Sequence, residues 1–314
     1  MTNKKAFEMS FSTIFAIIVG AVVLFLAIYA TAKFIGTRRY EIDTQTAAKL
    51  SILLDPLETT IESGKKSVIS LSSETRVYND KCNTYGSFGS QRIGVSVSSS
   101  FGGKYQKPAY GKEQYNKYIF SEEIEEGKEF GVFIKPLNLP FKVSDLVIIS
   151  SGEYCFVQAL EDIEDEVEGL GLKGINFTDS KTACPKNSKI VCFESSSGCN
   201  ISIYGDMESG KVEKNGETMN YVDSLIYAAI FSSPEVYDCN VKRLTMRLSN
   251  LALIYADKIE VVRRMGCDST LDALLISLAN EASSADSSQD LFSIQDRAEE
   301  ISIINSAASC SIFV

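Results

Sequence analysis

Between Glu8 and Lys33 the chain carries 24 residues without a charge, MSFSTIFAIIVGAVVLFLAIYATA. At 1.5 Å of rise per residue they make a helix of roughly 36 Å, longer than the ~30 Å hydrocarbon core of a bilayer. The run is too long and too uniformly apolar for a buried core helix. A cleaved secretory signal has an apolar core of about 7–15 residues and then a small-residue cleavage site. The sequence therefore predicts an uncleaved transmembrane helix over 9–34, preceded by a short flank at 1–8, with the lipid bilayer as its partner. Ser12, Ala16 and Gly20 recur every four residues along it. Such a strip of small side chains lets helix backbones approach closely in lipid. It is the candidate for self-association or for docking a partner membrane helix. Small residues are also common in spans, and that composition alone yields the same strip.

Charge does not orient this span. Lys4 and Lys5 precede it, and Lys33, Arg38 and Arg39 follow it, so the excess of cations that marks a cytoplasmic flank selects neither end clearly. The cysteines decide instead. Cys82, Cys155, Cys184, Cys192, Cys199, Cys239, Cys267 and Cys310 all follow the span, and their number is even. None stands in a CxxC pair, which argues against a zinc ribbon or a thioredoxin-type redox site. An even set on one side of a membrane reads as disulfides formed in an oxidising space; the alternative is buried thiols in a cytosolic domain. Asn176-Phe-Thr and Asn200-Ile-Ser are candidate glycosylation sites at Asn176 and Asn200 and point the same way. The expectation is a single-pass protein of the cell membrane with its C-terminal domain extracytoplasmic.

Apolar residues make up 45% of the 314 and charged residues 23%, a globular balance. Roughly 250 residues follow the span, enough for a substantial core. The net charge of −10 opposes nucleic-acid binding. The chain has no histidine. That excludes a Ser-His-Asp triad, a Cys-His dyad and any histidine-ligated metal site.

Apolar spacing divides the rest of the chain. Over 35–64, Ala47, Leu50, Leu54, Leu57 and Ile61 recur at helical intervals, with Asp55-Pro56 as a restart, and predict a helical stalk. Residues 65–220 are strand-rich. Ile93, Val95 and Val97 alternate with polar residues, as do Phe130, Val132 and Ile134. Short apolar runs mark Leu146–Ile149, Ile190–Phe193 and Ile201–Tyr204, and Asn215-Gly216 is a hairpin turn. Asn83 to Lys112 reads as long loops, Glu161 to Leu170 as a short acidic helix. Residues 221–314 change to a helical period, with Val241, Leu244, Leu248, Leu251, Tyr255, Ile259 and Val262 on one stripe and the basic residues mostly off it. Shorter helices follow near Leu271–Ala282 and Leu291–Ala307. The class is α+β: an N-terminal transmembrane helix with a helical stalk, a strand-rich middle, and a helical C-terminal region packed on it.

The long helix restricts the disulfides. Cys239 and Cys267 at its two ends would lie about 40 Å apart. A disulfide needs Cα atoms within about 7 Å. The expected bonds are Cys267–Cys310, across an up-down-up helical arrangement, and Cys239 to the strand-rich part.

Four patterns bear on chemistry. Gly169-Leu-Gly-Leu-Lys-Gly174 has the GxGxxG spacing of a dinucleotide site, but acidic residues precede it and an extended stretch follows, so it reads as a turn after a helix. Ser63-Gly-Lys-Lys66 has the spacing of serine–lysine hydrolases, yet its glycine and paired lysines read as a wet turn. The acidic clusters Glu122, Glu123, Glu125, Glu126, Glu129 and Asp162, Glu164, Asp165, Glu166, Glu168 lack the spacing of a calcium loop or any sign of a sugar cleft, and read as solvated faces. Tyr85, Tyr105, Tyr110, Tyr115 and Tyr118 suit a contact surface or ordinary packing. No catalytic, cofactor-binding or metal-ligating residue is assigned, and no cofactor is expected.

Lys4-Lys5-Ala6-Phe7-Glu8 before a long apolar helix resembles the start of archaeal type IV pilin-like proteins. That resemblance implies cleavage after a small residue, here Ala6, and packing of the apolar helix in a filament core. The small residue is alanine rather than glycine, and the acid comes two positions after the cut rather than five. Over its length the chain also resembles a group of uncharacterised archaeal single-span membrane-anchored proteins, through FEMSFSTIFAIIVGA, IFSEEIEEGKEF, PFKVSDLVIISSGEYCF, EDEVEGLGLKG and CNVKRL. This implies a recurring domain and transfers no catalytic residue. The expected function is a cell-surface structural or interaction protein, with a pilin-like subunit as its narrowest form. A tethered binding or accessory subunit of an envelope complex is the alternative, and an extracytoplasmic hydrolase is the least supported.

Overall fold

The computed structural model describes residues 11–53, 66–98, 104–105, 107–267, 269–308 and 310–313. Helix α1 runs unbroken from Phe11 to Leu53. Its segment Phe11–Phe34 has a mean hydropathy of 2.8 and no buried residue, so it meets solvent or lipid on every side. The expected stalk is helical as far as Leu53 and is the same helix as the span. Leu54, Asp55, Pro56, Leu57, Ile61 and Ser63 lie outside the described residues.

The body holds two six-stranded sheets. The first has the order β3-β2-β1-β5-β6-β4, with β1 Lys66–Asn83, β2 Ser90–Val97, β3 Ala109–Tyr110, β4 Tyr118–Phe120, β5 Ile124–Asn138 and β6 Lys142–Ser150. Its pairs are antiparallel except β4 with β6. Successive side chains of a strand point to opposite faces, and here both faces are covered. Ile119, Phe130, Val132, Ile134, Val147 and Ile149 enter one core with Val77, Ile93 and Val95. Tyr118, Phe120, Phe133, Leu146 and Ile148 enter the main core. This double burial is why β6 reads as an unbroken apolar run. Gln91 of β2 closes the first core, exchanging hydrogen bonds with both backbone groups of Ile119 on β4.

The second sheet has the order β12-β11-β10-β9-β7-β8, with β7 Tyr154–Val157, β8 Ile175–Thr178, β9 Lys189–Phe193, β10 Ile201–Gly205, β11 Ser209–Lys214 and β12 Glu217–Val222. Strands β8, β7, β9 and β10 run parallel, and β10-β11-β12 is an antiparallel meander. Asn215 and Gly216 both have positive φ, 55° and 83°, as a mirror-type hairpin turn requires. Tyr154, Phe156, Val191 and Ile203 face the main core. The opposite face carries Cys155, Val157 and Cys192, packed against Cys184, Ile190 and Cys199. A parallel sheet ordinarily needs cover on both sides. On this face disulfide-closed loops supply it.

Helices α2 Glu161–Leu170, α3 Leu225–Phe231, α4 Pro234–Arg263, α5 Asp272–Ser284 and α6 Leu291–Ala307 complete the α+β body. Helix α4 starts with proline in its first turn, where a missing N–H costs nothing. Val241, Leu244, Leu248, Ala252 and Ile259 are its buried stripe, with Leu251, Tyr255 and Val262 partly buried beside it. Ser287 and Asp290 form a reciprocal capping box ahead of α6.

All eight cysteines pair. Cys82–Cys239 ties β1 to α4, Cys267–Cys310 ties the end of α4 to the segment after α6, and Cys155–Cys184 and Cys192–Cys199 close loops on the second sheet. Cα separations of 5.7–6.3 Å lie inside the range a disulfide spans. The Cys267–Cys310 bond and the tether from Cys239 into the strand-rich part are the pairings the helix length pointed to.

Two expectations need correction, and one burial was not foreseen. The Asn83–Lys112 stretch is not all loop: it contains β2, where the Ile93, Val95 and Val97 alternation pointed, and the short β3. The first acidic cluster is not uniformly solvated: strand alternation turns Glu125 inward, to 4% exposure, and Glu122 is held in ion pairs. Arg243 is wholly buried, because α4 is covered on its Arg243 side by the loops around Phe88 and Gln114–Lys117 as well as on its apolar stripe.

Candidate functional site

Most residues marked by sequence do not converge. Ser12, Ala16 and Gly20 lie on the exposed part of α1, and a side chain added at Gly20 would meet nothing. Gly171 ends α2 in the left-handed conformation, at φ 50°. In the β7-α2-β8 unit Gly169 lies in the last turn of the helix and Gly171 and Gly174 follow it, whereas a phosphate-binding turn precedes a helix. Lys66 opens β1, with Ser63 outside the described residues. Among the tyrosines, Tyr105, Tyr110 and Tyr115 donate to Glu126, Asp80 and Glu113, while Tyr118 is fully buried. Burial and the Glu126 bond push the Tyr105 hydroxyl up to about 12. Asn176 and Asn200 are both exposed. Among the described residues no group of three or more metal-capable side chains gathers.

Two charged centres emerge instead. The first joins both sheets to the α3–α4 junction. Glu122 Oε1 accepts from Lys189 Nζ at 2.5 Å and from Lys214 Nζ at 2.7 Å. Lys214 is 4% exposed and also donates to the carbonyls of Ser232, at 2.8 Å, and Ile230, at 3.3 Å. These carbonyls end α3, where the helix dipole is negative, so the ammonium serves as a C-terminal cap. Burial lowers the Lys214 ammonium against the pull of Glu122. Burial pushes the Glu122 carboxyl up, but Lys214 and Lys189 together outweigh it and hold it below its ordinary value. Nearby, Glu125 Oε2 accepts from Ser151 N at 2.9 Å and Oγ at 2.5 Å, while Oε1 is buried without a partner. Burial raises this carboxyl. Two acids and two lysines are closely matched here, which is the chemistry of a buried fastener.

The second centre surrounds Arg243. Its guanidinium donates to the carbonyls of Lys117 at 3.0 Å, Gln114 and Tyr115 at 3.1 Å, and Phe88 at 3.3 Å. It also donates to Asn240 Oδ1 at 2.8 Å and Gln91 Oε1 at 3.4 Å. The group lies 4.8 Å from the centre of the Tyr118 ring. None of these acceptors is a carboxylate, and burial drags its pKa down to about 10. Nη1 and Nη2 thus fix the 114–117 segment to α4, while Nε fixes the loop at Phe88.

That segment forms one wall of a cleft of about 540 Å³. The start of β6, from Lys142 to Asp145, forms the other, and Arg247, one turn beyond Arg243, stands between. Arg247 Nε donates to Val143 O at 2.7 Å and Nη1 reaches Asn116 Oδ1 at 3.4 Å. Lys142 pairs with Asp145 at 2.8 Å. Lys117, Lys142 and Arg247 outnumber Glu113 and Asp145 around this cleft, in a chain whose net charge is −10. The arrangement suits binding of an anionic or strongly polar group. On the rim of the cleft the Tyr115 hydroxyl donates to Glu113 Oε2 at 2.7 Å.

Sequence reasoning missed both centres. Asn240 and Arg243, three apart beside Cys239, were the available signal: a cysteine tethered to a strand turns its stretch of helix inward. Lys214 and Glu122 lie 92 positions apart and gave none.

No protein-family model, no characterised protein and no solved structure matches this chain.

Proposed function

We propose that this chain is a membrane-anchored extracytoplasmic structural or interaction protein, held by a single uncleaved span. The observation that carries the reading is α1: its apolar 24 residues are exposed on every side and run without a break into a helix leading to a body whose cysteines are all paired. An apolar helix so exposed is unfavourable in water and favourable in lipid. Four disulfides form and persist in an oxidising space.

The test uses the full chain in the cells that make it. The expected result has the protein in carbonate-washed membranes with its span present in the N-terminal mass. Its cysteines react with a membrane-impermeant maleimide only after reduction, and protease added to intact cells digests the body. Eight sulfurs reactive without reductant, with the body shielded from that protease, would overturn the proposal.

Pilin-like assembly is the narrower form of this reading. It rests on the resemblance around Ala6 and on the small-residue strip, and it requires a mature chain beginning at Phe7 together with visible filaments. The cleft at Arg247 favours a second reading, a tethered binding subunit. An anionic probe that binds the intact protein and not its Arg247→Ala variant would support it.

A further inference from the structure

The two sequons are equivalent as sequence, since each offers asparagine, a non-proline residue and a hydroxyl. They are not equivalent in the fold. Asn200 lies directly after Cys199, between the loop that Cys192–Cys199 closes and the first residue of β10. Its Oδ1 accepts from the backbone N–H of Ile190 at 2.8 Å. The two residues after it are inside: Ile201 is fully buried, and Ser202, the required hydroxyl, is 4% exposed in β10 between β9 and β11.

Asn176 is placed differently. Strand β8 is the last strand of its sheet and pairs with β7 alone. Alternation sends Phe177 toward the core, where its ring lies 5.2 Å from that of Phe156. Asn176 therefore points to the opposite face, in register with Cys155. That is the face covered by disulfide loops. Asn176 is exposed, and Thr178 ends the strand half-buried, its hydroxyl bonded only to the backbone of Ser180.

We infer that Asn176 carries an N-linked glycan and Asn200 does not, because only at Asn176 does the fold leave both the carboxamide and its partner hydroxyl within reach. The reaction needs a lipid-phosphate-linked oligosaccharide and a separate membrane transferase. The Nδ2 atom of Asn176 forms a bond to the anomeric carbon of the sugar, and the bond from that carbon to the phosphate oxygen breaks. The lipid phosphate leaves with the electron pair, and the amide loses one proton. The product places a hydrated chain beside an unpaired strand edge, the position at which sheets of two molecules otherwise join.

This inference rests on the extracytoplasmic reading, and its test separates the two. The full chain is taken from membranes of the cells that make it, and its peptides are weighed before and after enzymatic removal of N-glycans. In the same sample the cysteines are probed with impermeant maleimide without reductant. The expected result is a sugar mass on the Asn176 peptide, none on the Asn200 peptide, and unreactive cysteines. Thr178→Ala abolishes the added mass and Asn200→Gln leaves it unchanged, with four retained disulfides showing that each variant folds. A bare Asn176 peptide with unreactive cysteines overturns the glycan while the location stands. A bare peptide with reactive cysteines overturns both, and sugar on Asn200 overturns the discrimination.

Discussion

Replacing Cys82 and Cys239 together by alanine opens a loop with a sequence separation of 157 residues. The same double replacement at Cys192 and Cys199 opens one of 7. In the chain-entropy account, the cross-link removes freedom from the unfolded state in proportion to the logarithm of loop length. The first bond is then worth about 5 kcal/mol and the second about 2.3 kcal/mol. Their difference, about 2.7 kcal/mol, is more secure than either value, because costs common to losing any disulfide cancel. The chain has 14 tyrosines and no tryptophan, so urea unfolding of the detergent-solubilised protein is followed by tyrosine emission. With a slope of about 3 kcal/mol per molar for a body this size, the midpoint falls by about 1.7 M in the first variant and about 0.8 M in the second. Equal shifts, or a larger one for the short loop, would refute the reasoning. The stabilisation would then come from local packing at the sulfurs.

Other outcomes follow from the two charged centres. Lys214→Met leaves Glu122 with Lys189 alone and uncaps α3, and should cost about 3 kcal/mol in the same assay. Arg243→Met removes the guanidinium bonds to the carbonyls of Gln114, Tyr115 and Lys117, leaving Gln114 O with the Gln91 N–H; a loss of about 3 kcal/mol, with new protease cleavage at 114–117, is expected. Glu122 has a folded value below the ordinary 4.5, so its contribution is complete above 4.5 and lost as pH falls through the folded value. Glu122→Gln should remove that acid-side loss in stability measured against pH. Glu125 has the opposite sign: its folded value is raised, so the fold loses stability as pH climbs through 4.5 to that value. Glu125→Gln should erase this loss and leave the protein more stable at pH 7. In lipid, Gly20→Leu should weaken self-association measured by energy transfer between labelled copies, and unchanged transfer would dismiss the strip.

What the sequence disclosed was whatever rests on local spacing. The α1 span, the Asn215-Gly216 hairpin, the end of α2 at Gly171 and the main stripe of α4 each follow from residues within a few turns of one another. The Cys267–Cys310 bond was legible because a helix has a fixed length. Inward-facing charge was not legible. Glu125 sits in a run of acids that looks solvated, and only the register of β5 against β1 and β6 decides which of them turns inside. Lys214 is a half-exposed residue by composition; its burial depends on α3 ending over it, after a hairpin in between. The cleft at Arg247 was hidden for the same reason, since Arg247, Lys142 and Lys117 come from a helix, a strand and a loop that only tertiary folding brings together.

The second sheet has one side secured by sulfur rather than by helices, through Cys155–Cys184 and Cys192–Cys199. Without those two bonds the loops would be held over the strands by a few hydrogen bonds alone, such as those between Ile190 and Asn200. On the extracytoplasmic reading proposed above, completion of this face would wait on an oxidising environment. A copy stranded on the reducing side of its membrane would remain unfinished in this one place, where a quality-control protease could find it.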